Sequence, residues 1–98
     1  MGKIGRFDTA NFRTVLNEIR RLWEEGSVII LPHARQRMVE RNLDELDVQN
    51  IFLGGRVTQQ IGKRFRVIGK SVEGAKAACV VEIEGDLIIV TVMHVLRR

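Results

Sequence analysis

The hydrophobic period of this chain changes once, at Gly54-Gly55. Before that pair apolar residues recur every three or four positions, and after it they alternate in short runs punctuated by glycine. A helix buries one stripe and a strand buries every second residue, so the two halves must meet as layers. From Thr9 to Glu25, residues Phe12, Val15, Leu16, Ile19, Leu22 and Trp23 form an amphipathic stripe that Gly26 stops. Ser27 to Leu31 is a short β-branched strand. Pro32 lacks the N–H that a helix start would orphan, so it opens a second helix running to about Arg41, which Asn42 breaks. Asp44 caps a third helix with an apolar face of Leu46, Val48, Ile51, Phe52 and Leu53. Four strands follow, near 56–61, 64–72, 76–84 and 86–96. Their connections, Gly62-Lys63, Glu73-Gly74-Ala75 and Gly85-Asp86, are short enough to make neighbours antiparallel. The expected fold class is α+β in the order α-β-α-α-β-β-β-β, with N-terminal helices packed on one face of a mostly antiparallel sheet.

At 98 residues the chain reads as a single domain, 1–98, with 1–8 expected as a flexible N-terminus. A core of this size leaves little room for an enclosed cavity, so no large cofactor is expected. The longest apolar stretch, Leu87 to Val95, is interrupted by Thr91 and His94 and falls short of the roughly 20 residues of a spanning helix. No membrane partner is expected. No apolar segment follows Lys3 and Arg6 as a secretory signal would require, and a lone Cys79 excludes an internal disulfide. Together these point to the cytoplasm.

The net charge of +4 is unevenly spread. Residues 43–55 carry only Asp44, Glu45 and Asp47, whereas 56–70 carry Arg56, Lys63, Arg64, Arg66 and Lys70 with no acid. A block of that kind is either the footprint of a polyanion or a sheet edge kept soluble by its charges. Alternation places Arg64, Arg66, Ile68 and Lys70 on one side of their strand, opposite Phe65 and Val67. In the last strand, strict alternation places His94 with Ile88, Val90 and Val92, opposite Ile89, Thr91, Met93 and Val95. That strand is apolar on both sides, as in a central strand covered twice or an oligomer interface.

The second helix carries His33, Arg37 and Arg41 at i, i+4 and i+8, along one side, with Ala34 and Met38 turned to the core. His33 lies in the first turn, where the helix dipole favours a neutral ring able to accept a proton. Such a ring beside guanidiniums suits phosphodiester cleavage, supplying a base for a ribose 2′-hydroxyl and cations for the charged transition state. The plainer alternative pairs Arg37 with Glu40 on the surface and packs His33 against the helix start. His94 is the second candidate acid or base, although a strand His among Val and Leu is ordinarily a hydrogen-bonded packing residue. Two distant His and one Cys do not make a zinc site, and no metal is expected. Cys79 reads as a small core hydrophobe. No glycine loop with a Lys-Ser/Thr ending supports a nucleotide hydrolase. Without Tyr and with few exposed rings, stacking on bases is disfavoured, which leaves backbone recognition by Arg and Lys.

The run HARQRMVER after a short strand, the helix ending in Gly-Gly, the strand GKRFRVIGK and the terminal LIIVTVMHV resemble an uncharacterised bacterial domain family grouped with the RelE/ParE toxin superfamily. In layout the chain is also similar to the motility quorum-sensing regulator toxin, a small RelE-like ribonuclease. The resemblance covers roughly residues 12–96, and its most specific part is His33 to Arg41. It implies a RelE-like fold and a toxin-like, metal-independent endoribonuclease that needs no cofactor and cleaves messenger RNA, free or ribosome-bound. It also implies a cognate antitoxin that covers the basic sheet face. By position, Arg64 and Arg66 correspond to strand arginines that such toxins place in the RNA cleft, flanked by Lys63 and Lys70. His33, Arg37 and Arg41 match the family's own run. The chain departs from related toxins in having no Tyr, with Ala77-Ala78 where the regulator toxin carries one. Proton transfer then falls to His33 or His94. Two other readings use the same residues: a non-enzymatic module docking an acidic protein or nucleic acid through the basic face, and ParE-like inhibition of a replication enzyme. Edge strands leave a homodimer or strand addition by an antitoxin open.

Overall fold

Asn11 opens the first helix by accepting the Thr14 N–H on its side chain at 3.2 Å. This helix, α1, spans Phe12–Glu25 in a computed structural model that describes residues 11–96. The expectations for residues 1–8, and for a helix start at Thr9, lie outside the described residues. Val15, Leu16, Ile19 and Leu22 are buried, so the apolar stripe of α1 belongs to the core. Gly26, at φ 79°, takes the left-handed conformation that ends the helix. Strand β1 (Val28–Ile30) leads into α2 (Pro32–Glu40), which starts at the proline and buries Ala34 and Met38. Asn42, at φ 56°, turns the chain out of α2.

Helix α3 (Glu45–Gly54) is held at both ends by side chains. Asp44 and Asp47 exchange side-chain-to-backbone hydrogen bonds at its start, at 2.9 and 3.1 Å. At its end the Arg20 guanidinium of α1 donates to the Phe52 and Leu53 carbonyls at 2.7 and 2.9 Å, meeting acceptors that the helix leaves open. Trp23 of α1 packs edge-on against Phe52, with ring centroids 5.5 Å apart, and donates Nε1–H to Gln49 Oε1 at 3.1 Å.

The strands β2 (Arg56–Ile61), β3 (Arg64–Lys70), β4 (Lys76–Glu84) and β5 (Asp86–His94) form an antiparallel meander. β1 joins it parallel to β5, giving the order β1-β5-β4-β3-β2. The helices cover one face: α2 lies over β5, α3 over β3, and α1 against β2 and α3. Cross-strand rows place Val57, Val67, Cys79 and Val92 on that face, followed by Phe65, Val81 and Ile89, all buried. Burial pushes the Cys79 thiol up from its ordinary value, which keeps it protonated and unreactive.

β5 ends at His94 rather than near residue 96, and two further differences from the sequence expectation have a local cause. β3 ends at Lys70 rather than near residue 72, because the Val72 N–H is taken by Asp47 Oδ1 at 2.8 Å instead of by a neighbouring strand. β5 does not alternate strictly. Ile89 and Thr91 face successive β4 residues, Val81 and Val80, which leaves Val90 as an extra residue. One inserted residue exchanges the faces of everything after it. Leu87 and Ile89 point to the core before the bulge and Val92 after it, so His94 shares the helix-covered side with Val92 and not the side of Ile88. The same bulge explains part of the two-sided apolarity of the strand.

Helix α3 comes down closely on β3. A Cβ at Gly69 would stand 2.7 Å from the Ile51 carbonyl oxygen and 3.2 Å from Gly55 Cα. The two backbones meet there because Gly69 has no side chain. Gly69→Ala should therefore destabilise the protein by about 1–3 kcal/mol through overpacking, measured by urea unfolding. Gly74→Ala is the reference for a strained turn glycine with open space around it. It should cost less, through its positive φ alone.

Candidate functional site

The seven residues of β3 put Arg64 and Lys70 at opposite ends of a strand, roughly 20 Å apart. The two ends differ in how their charge is balanced. At one end Arg64 Nε donates to Glu82 Oε2 at 3.0 Å, and Lys63 pairs with Glu84. The Glu84 hydrogen bond and charge raise the Lys63 pKa above its ordinary value. Midway, Arg66 is half-buried in a row with Val80 and Thr91, and it has no ion pair among the described residues. At the other end Lys70 lies directly opposite Lys76 in the β3–β4 ladder, and Arg56 lies opposite Ile68.

This second end opens into a cleft of about 1180 Å³. Arg56, Lys70, Lys76 and Asn50 line it with His94, Gly55 and Gly69, and among the described residues no Asp or Glu contributes. Asn50 fixes the floor by donating Nδ2–H to the Lys70 and Ser71 carbonyls at 3.0 and 3.2 Å. The β3–β4 turn is closed by Ser71, whose Oγ accepts from the Ala75 N–H at 3.1 Å.

His94 stands at the end of β5, exposed, with Nε2 3.0 Å from the Arg41 carbonyl oxygen. A carbonyl can only accept, so Nε2 carries the proton and Nδ1 is the ring nitrogen left to accept one. Arg41 closes α2, its N–H donating to the Arg37 carbonyl at 2.9 Å. Its Nη1 is buried without a hydrogen-bond partner among the described residues. Asp47 lies close enough for its charge to interact with His94. Burial opposes ionisation of Asp47, but hydrogen bonds from the Asp44 and Val72 amides outweigh it, and the carboxyl titrates below its ordinary value.

The remaining candidates lie elsewhere. His33 is exposed in the first turn of α2, eight residues and thus about 12 Å along the axis from Arg41. Arg37 donates to Glu40 Oε1 at 2.8 Å, and that bond, with a second from Gln36, lowers the Glu40 pKa. The structure therefore brings Arg41 to His94, and His94 to Lys70. It does not bring His33, Arg37, Lys63 or Arg64 to the same place. Among the described residues no group of three or more His, Cys, Asp or Glu comes together to hold a metal ion. No described helix is long and apolar enough to cross a membrane. Sequence reading counted Arg56 only within the basic block and assigned no role to Lys76 or Asp47. Hairpin arithmetic held the signal for Lys76, since a five-residue turn after Lys70 places it opposite.

The model of a domain of unknown function, DUF4258, matches residues 30–94. Among solved structures, the crystal structure of the Brucella abortus ribonuclease toxin BrnT is similar to this chain, with a TM-score of 0.57 at 17% identity. The likeness covers 71% of this chain and 96% of that one. No curated protein matches the sequence. The likeness shows the fold, and the α+β, RelE-like arrangement expected from the sequence is the one observed.

Asp47 gives this region a testable acid sensitivity. Its depressed pKa contributes stability that is fully present above the unfolded value, about 4, and is lost as pH falls through the folded one. Asp47→Ala removes the reciprocal cap and the Val72 anchor together. It should cost about 1–2 kcal/mol at neutral pH by urea unfolding, with a smaller difference from wild type at pH 3.

Proposed function

The chain belongs to the DUF4258 family of domains of unknown function, and from that premise we propose that it is a toxin-like ribonuclease of the RelE superfamily. In this reading it acts in the cytoplasm on messenger RNA, without a metal or other cofactor, and a cognate antitoxin restrains it. The observation that carries the reading is a cation-lined cleft to which no described carboxylate contributes, with an oriented histidine at its rim. The likeness in fold to a ribonuclease toxin supports it.

The chemistry suits RNA. His94 Nδ1 accepts the proton of a ribose 2′-hydroxyl, and the 2′-oxygen attacks the adjacent phosphorus. The bond to the 5′-oxygen breaks, that oxygen takes a proton from solvent, and a 2′,3′-cyclic phosphate remains. Lys70 holds a phosphate in the cleft and offsets the charge that builds on the phosphoryl oxygens, while Arg66, midway along β3 and outside the cleft lining, holds a neighbouring phosphate. Arg41 is a positioning residue, acting through the carbonyl that orients the imidazole. His33, about 12 Å from Arg41 along α2, and Arg37, about 6 Å from it and paired with Glu40, receive no step. Lys63 and Arg64 are engaged by Glu84 and Glu82 and receive no phosphate.

Induced expression in a bacterial host, with growth followed and new RNA 5′ ends mapped, tests this reading. Wild type should arrest growth and give clustered cuts. His94→Ala should lower the cleavage rate about 100-fold or more while RNA affinity stays within about twofold. His94→Gln keeps an N–H for the Arg41 carbonyl but offers no nitrogen to accept a proton, and should be equally inactive though folded as wild type. Normal growth with intact RNA at confirmed expression would favour a binding module on a toxin-like scaffold. Arrest without cuts would favour inhibition of a replication enzyme.

A further inference from the structure

We infer that RNA phosphates are held at the Lys70 end of the sheet, by Arg56 and Lys76 together with Lys70, and not at the Lys63–Arg64 end. The inference rests on the ribonuclease reading only for the identity of the polyanion; the location comes from the charges themselves. Lys70 and Lys76 are direct cross-strand neighbours, an arrangement in which like charges repel and destabilise the pair. Arg56 adds a third cation to the same cleft, and among the described residues no acidic side chain lines it to offset them. Among the described residues none of the three has an ion-pair partner. At the other end of β3 the geometry is reversed. Glu82 and Glu84 stand beside Arg64 and Lys63, so an incoming phosphate would have to displace a carboxylate already in place.

A phosphodiester chain fits these cations better than an acidic peptide for two reasons. The three cations come from three different strands along one open cleft, which suits a ligand with regularly repeated charge. His94 lines the same cleft, so a bound phosphodiester would lie beside an imidazole. Arg56 and Lys76 are binding residues in this arrangement, not catalytic ones.

The test is fluorescence anisotropy of a short labelled oligouridylate on the whole protein, titrated over a series of salt concentrations. Arg56→Ala/Lys76→Ala should weaken binding about tenfold at low salt. It should also make the log–log salt slope shallower by about 1.4, the value for two lost single-strand phosphate contacts. Lys63→Ala/Arg64→Ala should lose much less on both measures. Both cleft residues are exposed, and removing Lys76 relieves its repulsion with Lys70, so the cleft variant should melt no lower than wild type. Equal or larger losses in the Lys63/Arg64 variant would overturn the inference. So would a wild type that binds no RNA, or one that binds an oligoglutamate more tightly, which would point to an acidic protein partner. Cleavage read in the same samples separates the two proposals. RNA held by the cleft but never cut sinks the ribonuclease reading alone, and cutting unaffected by the cleft variant sinks this one alone.

Discussion

The close approach of α3 to β3 at Gly69 is the contact on which the arrangement of the site depends. Because that strand position has no side chain, the Ile51 turn and Gly55 settle directly on the β3 backbone. Asn50 is then placed to hold the Lys70 and Ser71 carbonyls, and Asp47 to take the Val72 amide. These bonds end β3 at Lys70 and commit the next five residues to a turn, which brings Lys76 opposite Lys70. A helix–strand packing contact therefore sets the spacing of two surface cations. Asp47 links the layers again, since the carboxylate that caps α3 and anchors the turn also lies near His94.

Charge balance, more than charge count, separates the parts of the basic block. Five cations between residues 56 and 70 look equivalent in sequence. In the folded chain two are neutralised by acids from β4, Arg66 lies half-buried across the middle of the sheet, and Lys70 and Arg56 join Lys76 in a cleft that no described acid lines. Exposed ion pairs of the Arg64–Glu82 kind contribute little to stability. Their consequence here is local cancellation of the field, whereas the unbalanced end retains a potential that attracts anions.

The elements were legible in the sequence because their signals are local. Pro32 at a helix start, the Asp44 cap, Gly26 as a stop and the glycine-punctuated alternation each act within a few residues. Non-local facts were not legible in the same way. The parallel pairing of β1 with β5 joins segments nearly sixty residues apart and leaves no mark on either. The bulge at Val90 is hidden inside a run that is apolar at almost every position, so nothing in the pattern shows where the phase changes. His94 was placed on the wrong side for that reason alone. The pairing of Arg37 with Glu40 was readable from helical spacing, whereas that of Arg64 with Glu82 required the β3–β4 register.

The bulge also determines what the terminal histidine can do. Without the extra residue His94 would stand on the open face with Ile88, away from the α2–α3 junction and with no carbonyl to orient it. With it, the imidazole reaches the Arg41 carbonyl at the end of α2 and still borders the cleft. Nε2 is engaged by a backbone group that cannot itself titrate, so the protonation state available for chemistry is confined to Nδ1. Cations on the sheet and an acceptor fixed by the helix layer thus arrive at one cleft from different layers of the fold. A one-residue insertion in β5 and a missing side chain in β3 together bring them there.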